Sequence, residues 1–355
     1  MAIHVCVGGQ FGSEAKGHAT QWLCDRLIKR GERVFNIRTG GPNAGHTAYV
    51  ENSEVPFRFR QLPVGVLNPR VQAVGLAAGS EINLEVLNDE IGDVEAHGIE
   101  VNNRLWIDSE ATIIEQRHID EEQSMIAAIG STAKGIGAAR AARIMRNARR
   151  FTDVWEKVPR AIPMITHEQI RLFLHSRVKS NIVIEGAQGY GLGLHAGYYP
   201  YCTSGDCRVI DNLAACGILP TEYRLVPWVV FRTHPIRVAG NSGPLKDEMS
   251  FEELGNRIHT TIEPERTTVT NRIRRIGGWD SELASAAISA NGGDYARVVL
   301  TFIDYWYPEL YGMTSLPTDH PIHRRLGNLE DEIGARIWAV STSPTTMIQV
   351  RMEDL

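Results

Sequence analysis

The chain has 355 residues, 43% hydrophobic and 22% charged, a globular balance that excludes a disordered, collagenous or coiled-coil protein. A net charge of -5, from 37 Lys+Arg against 42 Asp+Glu, gives no overall attraction to a polyanion, so nucleic acid is not an expected partner. Five cysteines without a C-x-x-C pair suit neither a disulfide framework nor a four-thiolate zinc site, and a reducing cytoplasm is expected. Cys202 and Cys207 read as small residues of a loop or buried segment. The first residues lack the charged start and apolar stretch of a signal peptide, and no apolar run reaches about 18 residues, so no membrane partner is expected.

In chain order, Ile3 to Val7 reads as a buried strand running into Gly8 and Gly9, then a polar glycine-rich turn, then a helix from about Gly17 to Arg30. Val34 to Ile37 predicts the next strand, before a second glycine loop from Gly40 to Thr47. Val71 to Ala77, Asn181 to Ile184, Val226 to Phe231 and Val298 to Phe302 are further apolar runs of strand length separated by helical stretches. Such alternation predicts an α/β fold with a largely parallel central sheet, surrounding helices and long glycine-rich ligand-binding loops. At about 150 residues per domain the length allows one large or two medium domains, and we read residues 1–355 as one. Val158 to Pro163 is the best candidate for a break between sections. Ligands of such sheets bind at the carboxyl ends of the strands, where the glycine loops lie.

The first loop, Gly8-Gly9-Gln10-Phe11-Gly12-Ser13-Glu14-Ala15-Lys16-Gly17, joins a strand to a helix, so backbone N–H groups, the helix N-terminus and Lys16 can hold an anion. It is P-loop-like but not a regular Walker A sequence: Ala15 precedes the lysine and Gly17 follows it. The second loop delivers Asn43, His46 and Thr47 within one turn. An ordinary glycine turn and a structural histidine are the alternatives.

Taken together, these two loops resemble the signature loops of adenylosuccinate synthetases. Four more segments agree in order: Gly130-Ser131-Thr132-Ala133-Lys134-Gly135-Ile136-Gly137, Glu185 to Gly189 with Tyr199 to Ser204, Thr268 to Arg275, and Ser341-Thr342-Ser343-Pro344. The resemblance spans nearly the whole chain. It implies catalytic roles for Ser13, Lys16, His46 and Gln188, with His46 stabilising the phosphoryl group in flight. The donor nucleotide would lie on Gly12, Glu14, Ala15, Lys16, Gly17, Gly45, His46 and Thr47, with its base at Asp304, Ser341, Ser343 and Pro344. The substrate nucleotide would meet Ser13, Asn43, Thr132, Gln188 and Thr203, and Arg146 of a neighbouring subunit, which implies a homodimer. L-aspartate would bind Val269, Thr270, Arg272 and Arg274, and Mg²⁺ would meet Ser13 and the Gly45 carbonyl. The paired arginines make independent sense, since aspartate brings two carboxylates; a solvated basic loop is the alternative.

Two departures bear on the substrates. Ordinary members carry an aspartate, the base for the purine N1 proton, where this chain has Ser13. A smaller neutral side chain leaves room for a substituent on C2 and can exchange hydrogen bonds with it, which points to guanine. The change resembles the phage-type branch, the 2-aminoadenylosuccinate synthetases, which join dGMP to aspartate for diaminopurine DNA; the chain's short length also suggests that branch, and a host cytoplasm would then be its setting. Glu14, a water ordered by Ser13 or a phosphate oxygen remain candidate proton acceptors. Secondly, Phe302 stands where the family's base-stacking lysine is expected, so ATP or dATP, not GTP, is the expected donor; as a strand residue Phe302 would ordinarily belong to the core. A standard synthetase using IMP and GTP, or a non-catalytic nucleotide-binding homologue, are the other readings.

Overall fold

The computed structural model describes residues 2–50, 53, 55–123, 132–157, 162–166, 169, 180–267 and 271–351. The first strand, Ala2–Gly8, is buried at every position, as a strand covered on both faces must be. Its side chains alternate between two cores. Ala2 and Cys6 join Leu23 and Leu27 of the helix Lys16–Lys29, whereas Ile3, Val5 and Val7 join Ala284, Ala287 and Ile288 of the helix Ser281–Ala290. The result is a sheet between two helical layers, the α/β architecture expected.

This strand lies near the middle of a ten-stranded sheet, between Ser180–Gly189 and Arg224–Arg232. Beyond Ser180–Gly189 follow Arg33–Arg38, Ala73–Leu76, Leu105–Asp108 and Met164–Ile165; beyond Arg224–Arg232 follow Arg297–Thr301, Arg336–Ser341 and Met347–Gln349. Only the last of these pairs antiparallel. Register carries the site. Gly8 lies opposite both Gly189 and Val230, Glu185 opposite Arg38, and Arg232 opposite Thr301, so the loops leaving these strands emerge on one edge.

Three boundaries differ from the sequence reading. The strand expected to end at Ile184 continues to Gly189, because Glu185 is buried by partners from other strands that no local pattern reveals. His46–Tyr49 and Pro56–Phe59 form a separate antiparallel hairpin. Phe302 is not a strand residue: the strand stops at Thr301, and Phe302 takes a left-handed conformation (φ 60°) that opens a 3-10 turn. Its ring is half-buried on the site rather than in the core. Residues 158–161 of the suggested break lie outside the described residues.

A small satellite core, Ile236, Phe251, Leu254 and Ile276, sits beside the sheet and anchors the two-stranded ladder Ile236–Arg237 with Arg275–Ile276. It holds the root of the arginine loop. Among the described residues no helix is long and apolar enough to cross a membrane.

Candidate active site

The first loop turns through three left-handed residues, Gly12 (φ 83°), Ser13 (φ 58°) and Ala15 (φ 61°), of which only the glycine adopts that conformation readily. The carboxylate of Glu14 holds the turn. It is wholly buried and accepts hydrogen bonds from the backbone N–H groups of Gln10 (3.1 Å) and Gly12 (2.8 Å), and from Lys16 Nζ (2.7 Å). A Cβ on Gly8 or Gly189 would stand 2.6 or 2.4 Å from that carboxylate, which is why both positions are glycine. Lys16 is the first residue of the helix Lys16–Lys29, whose N-terminus has no side-chain cap, so its first N–H groups and the ammonium form one electropositive point. The second loop packs directly on it: a Cβ on Gly17 would come within 2.8 Å of the His46 Cβ.

His46 is buried, and its Nδ1 meets Glu185 Oε1 at 2.5 Å. A carboxylate only accepts, so Nδ1 carries the hydrogen and Nε2 is left for the cavity. Glu185 is held in turn by Arg38 Nη1 (3.1 Å) and the Val64 N–H (2.9 Å), while Arg38 also donates to the carbonyls of Ala44 (2.6 Å) and Leu62 (3.2 Å). Burial first, then the Arg38 charge, lowers the imidazole pKa to about 4 despite Glu185. The ring is neutral at pH 7 in the absence of an anionic ligand. Burial works to raise the Glu185 pKa, but Arg38 and His46 more than offset it and keep the group a carboxylate.

In the first loop, Ser13 is gripped by two arginines. Arg274 Nη1 donates to its hydroxyl at 2.8 Å, and Arg232 Nη1 donates to its carbonyl at 3.2 Å. Arg232 is fully buried, bonds Glu265 with both terminal nitrogens, and lies 4.0 Å over the Phe302 ring. Nearby, Arg237 stacks 3.8 Å from the Phe11 ring, and burial followed by the neighbouring Arg275 charge lowers its pKa to about 10. The third glycine loop is fixed by Glu122, which accepts from the N–H groups of Gly135 (2.7 Å), Gly137 (2.5 Å) and Ala138 (3.2 Å).

These walls enclose one cavity of about 960 Å³, at the upper end of the roughly 300–1,000 Å³ typical of small-molecule sites. It brings together Gly12, Ser13, Ala15, Lys16, Gly17, Asn43, Gly45, His46, Thr47, Thr132, Gln188, Thr203, Arg272, Arg274, Asp304, Ser341, Ser343 and Pro344. Burial raises the Asp304 pKa to about 6, against its own backbone N–H and the Arg232 charge. Glu14 is not on the cavity wall, because its carboxylate faces inward to Lys16 and the loop. Arg146 is exposed and away from the cavity of its own chain, beside the exposed apolar side chains of Ile144 and Met145. Val269 and Thr270 lie outside the described residues.

Sequence reasoning missed the residues that act behind the wall: Arg38 and Glu185 behind His46, Arg232 and Glu265 behind Ser13, and Glu122 behind the third loop. A charged residue closing an apolar run, as at Arg38, Glu185 and Arg232, was the available signal.

An α/β sheet whose glycine loops converge on a lysine at a helix N-terminus defines a nucleotide-binding protein of the phosphoryl-transferring kind. The adenylosuccinate synthetase family model matches residues 5–169 and 156–307. Adenylosuccinate synthetase of Methanococcus maripaludis strain S2 is 33% identical over 349 residues, 97% of each chain, and that of Pyrococcus sp. strain ST700 is 31% identical over 354 residues, 97% of this chain and 96% of its own. The chain belongs to the adenylosuccinate synthetase family, and so to its carbon–nitrogen ligases of purine biosynthesis. Among solved structures, succinoaminodeoxyadenylate synthetase of cyanophage S-2L, bound to dGMP and to dATP as an energy donor, matches with a TM-score of 0.81 and 29% identity over 99% of this chain and 96% of its own. Fully ligated adenylosuccinate synthetase of Plasmodium falciparum matches in fold, with a TM-score of 0.80 and 20% identity over 98% and 99%. The archaeal synthetases match end to end, so short length does not distinguish the phage branch.

Proposed function

We propose that this enzyme joins dGMP to L-aspartate at the expense of ATP or dATP, giving 2-amino-2'-deoxyadenylosuccinate. The observation that carries this reading is Ser13: a small hydroxyl on the cavity wall, fixed from both sides, where ordinary members of the family carry an aspartate. The cyanophage protein solved with dGMP and dATP supports it. In the first step the donor γ-phosphoryl group passes to the purine O6, releasing the nucleoside diphosphate and the N1 proton, and in the second the aspartate amine displaces phosphate at C6 and gives up a proton. The charge that develops in the first step faces Lys16, the first N–H groups of its helix and His46. As that charge approaches, it favours the imidazolium form, so that Nε2 can donate to a phosphoryl oxygen while Glu185 steadies Nδ1.

Mg²⁺ in such a site neutralises donor phosphate charge. Among the described residues no cluster of three His, Cys, Asp or Glu side chains could hold a metal on its own, and the Ser13 hydroxyl already accepts from a guanidinium. The donor set fits an ion that would be carried in on the phosphates, with the Gly45 carbonyl as its proposed protein ligand and the Ser13 hydroxyl left to the purine.

ATP is favoured as donor by Phe302, an apolar ring on the cavity wall under Arg232 at the position where a base-stacking lysine is expected. The second reading, IMP with GTP, draws on Asp304, since an ionised carboxylate accepts from guanine N1–H and N2–H. Measuring nucleoside diphosphate release with dGMP or IMP, with and without aspartate, and with ATP or GTP as donor, tests the proposal. Aspartate-dependent turnover of dGMP with ATP is expected. Turnover confined to IMP and GTP refutes it, and no turnover at all favours a non-catalytic homologue.

Arg272 and Arg274 are proposed to receive the two carboxylates of aspartate. Arg272 is exposed at the cavity mouth, and Arg274 stands half-buried behind it. Arg272→Leu is expected to raise the aspartate KM several-fold (about 2- to 5-fold) with the dGMP KM little changed, since Arg272 is exposed and a charge-assisted contact there is only partly out of water. An unchanged aspartate KM would remove the assignment.

The homodimer proposal rests on Arg146, which is exposed beside Ile144 and Met145 and is not on the wall of its own cavity. Mixing a Lys16→Ala protein with an Arg146→Ala protein should restore part of the activity, because one kind of mixed dimer site is intact. Absence of any restoration under conditions of subunit exchange would count against a shared site.

A further inference from the structure

Four residues close a ring of hydrogen bonds behind the cavity wall. Arg232 bonds Glu265 through both terminal nitrogens and donates to the Ser13 carbonyl; Arg274 donates to the Ser13 hydroxyl at 2.8 Å; and the Arg274 backbone N–H donates to the Glu265 carbonyl at 2.8 Å. Each link comes from a different part of the chain. Ser13 belongs to the first loop, Arg232 ends a central strand, and Glu265 and Arg274 face each other across the root of the arginine loop. Tyr305, from the turn that follows Phe302, donates its hydroxyl to Glu265 Oε1 at 3.2 Å.

The ring constrains Ser13 at both of its polar groups. A left-handed serine costs strain and persists only where its surroundings hold it. Arg232 cannot relax elsewhere: it is fully buried, the Phe302 ring lies 4.0 Å from its guanidinium, and the Gln10 side chain clasps its backbone N–H and carbonyl, each at 3.0 Å. Although burial works to raise the Glu265 pKa, Arg232 keeps the group ionised, so the pair stays charged. The Arg274 fork is shared between the Ser13 hydroxyl and the Arg266 carbonyl (3.3 Å), and its direction into the cavity follows from where Glu265 holds its backbone.

From this geometry we infer that Arg232 and Glu265 are positioning residues that set purine selectivity and aspartate affinity together, by fixing Ser13 and Arg274 in one frame. The inference rests on the proposed reaction for its purine arm. Its aspartate arm concerns any purine that the enzyme accepts. Glu265→Gln replaces an acceptor-only carboxylate by an amide and leaves a buried guanidinium without its counter-charge. Selectivity for dGMP over IMP, as the ratio of kcat/KM values, should fall at least about tenfold and the aspartate KM should rise at least about tenfold.

Arg232→Lys keeps the charge but not the fork, so it should retain more selectivity than Arg232→Met. This pair serves if Glu265→Gln does not fold, and far-UV circular dichroism checks folding in each case. A residue of merely structural importance would lower kcat for both purines alike, leaving the selectivity ratio and the aspartate KM unchanged; that result would overturn the inference. A parent enzyme that does not prefer dGMP would instead defeat the substrate reading, and the aspartate KM of the same variants would still decide the ring.

Discussion

Ser13→Asp is expected to lose dGMP turnover by at least about a hundredfold while gaining activity on IMP, an exchange of specificity at a single atom group. The backbone should accept the change, since aspartate is better suited than most residues to a left-handed conformation. The new carboxylate would arrive beside the Arg274 guanidinium, which now lies 2.8 Å from the serine hydroxyl, and that charge would keep it ionised. Against guanine, a longer and charged group crowds the 2-amino substituent. Against hypoxanthine it supplies a base for N1, and positioned bases contribute about 10²- to 10⁴-fold. Loss on dGMP is the firmer consequence, because it needs only the clash at C2, whereas gain on IMP needs the rest of the pocket to accept hypoxanthine as well. The pairing has a cost that the sequence alone did not suggest: an Arg274 engaged by a carboxylate at position 13 is less available to aspartate, so the aspartate KM should rise with either purine. A variant that turned over dGMP as fast as the parent would remove Ser13 as the specificity residue.

The second large effect is expected at His46. His46→Asn should lower kcat by about 10²- to 10³-fold with little change in the donor KM, the pattern of a contact made chiefly when charge develops in the transition state. Glu185→Gln tests how the imidazole is held. The amide can still meet Nδ1, but it leaves Arg38 buried without its counter-charge and weakens the hold on Nδ1–H. Its kcat should therefore fall by less than that of His46→Asn, and its folded state should be less stable as well. The sign with pH follows from the folded-state shift. The His46 pKa lies below its ordinary value of about 6.5, so His46 favours folding above that value and loses this advantage as pH falls towards 4. Without ligand, His46→Asn should remove part of the parent's acid sensitivity. A kcat equal to the parent's would exclude His46 from the phosphoryl-transfer step.

The fold was legible where apolar runs are continuous. Ile3 to Val7, Val34 to Ile37 and Val226 to Phe231 are largely buried and read as strands without knowledge of their neighbours, and the glycines that follow the first two marked where ligands belong. Phe302 was misread because a strand-like apolar pattern cannot reveal where the ladder stops. The backbone turns left-handed at that residue, and its ring becomes a wall of the cavity. The loops were legible as loops, and Lys16, His46, Thr132, Gln188 and Arg274 do line one cavity. What held them was not. Glu185 meets His46 across 139 positions of sequence, and Arg232 meets Ser13 across 219, distances at which no periodicity or spacing rule operates. Glu14 shows the same limit from the other side. It lies within the phosphate loop, yet its carboxylate serves the loop's own backbone, because Gly8 and Gly189 leave a space that admits it.

The most direct test of the substrate assignment is a competition. Equal concentrations of dGMP and IMP are supplied together with aspartate, ATP and Mg²⁺, and the two succinyl products are quantified by mass. We expect 2-amino-2'-deoxyadenylosuccinate to predominate and the preference to collapse in Ser13→Asp. Predominance of adenylosuccinate from the parent enzyme would contradict the substrate assignment and place this chain with the synthetases that act on IMP.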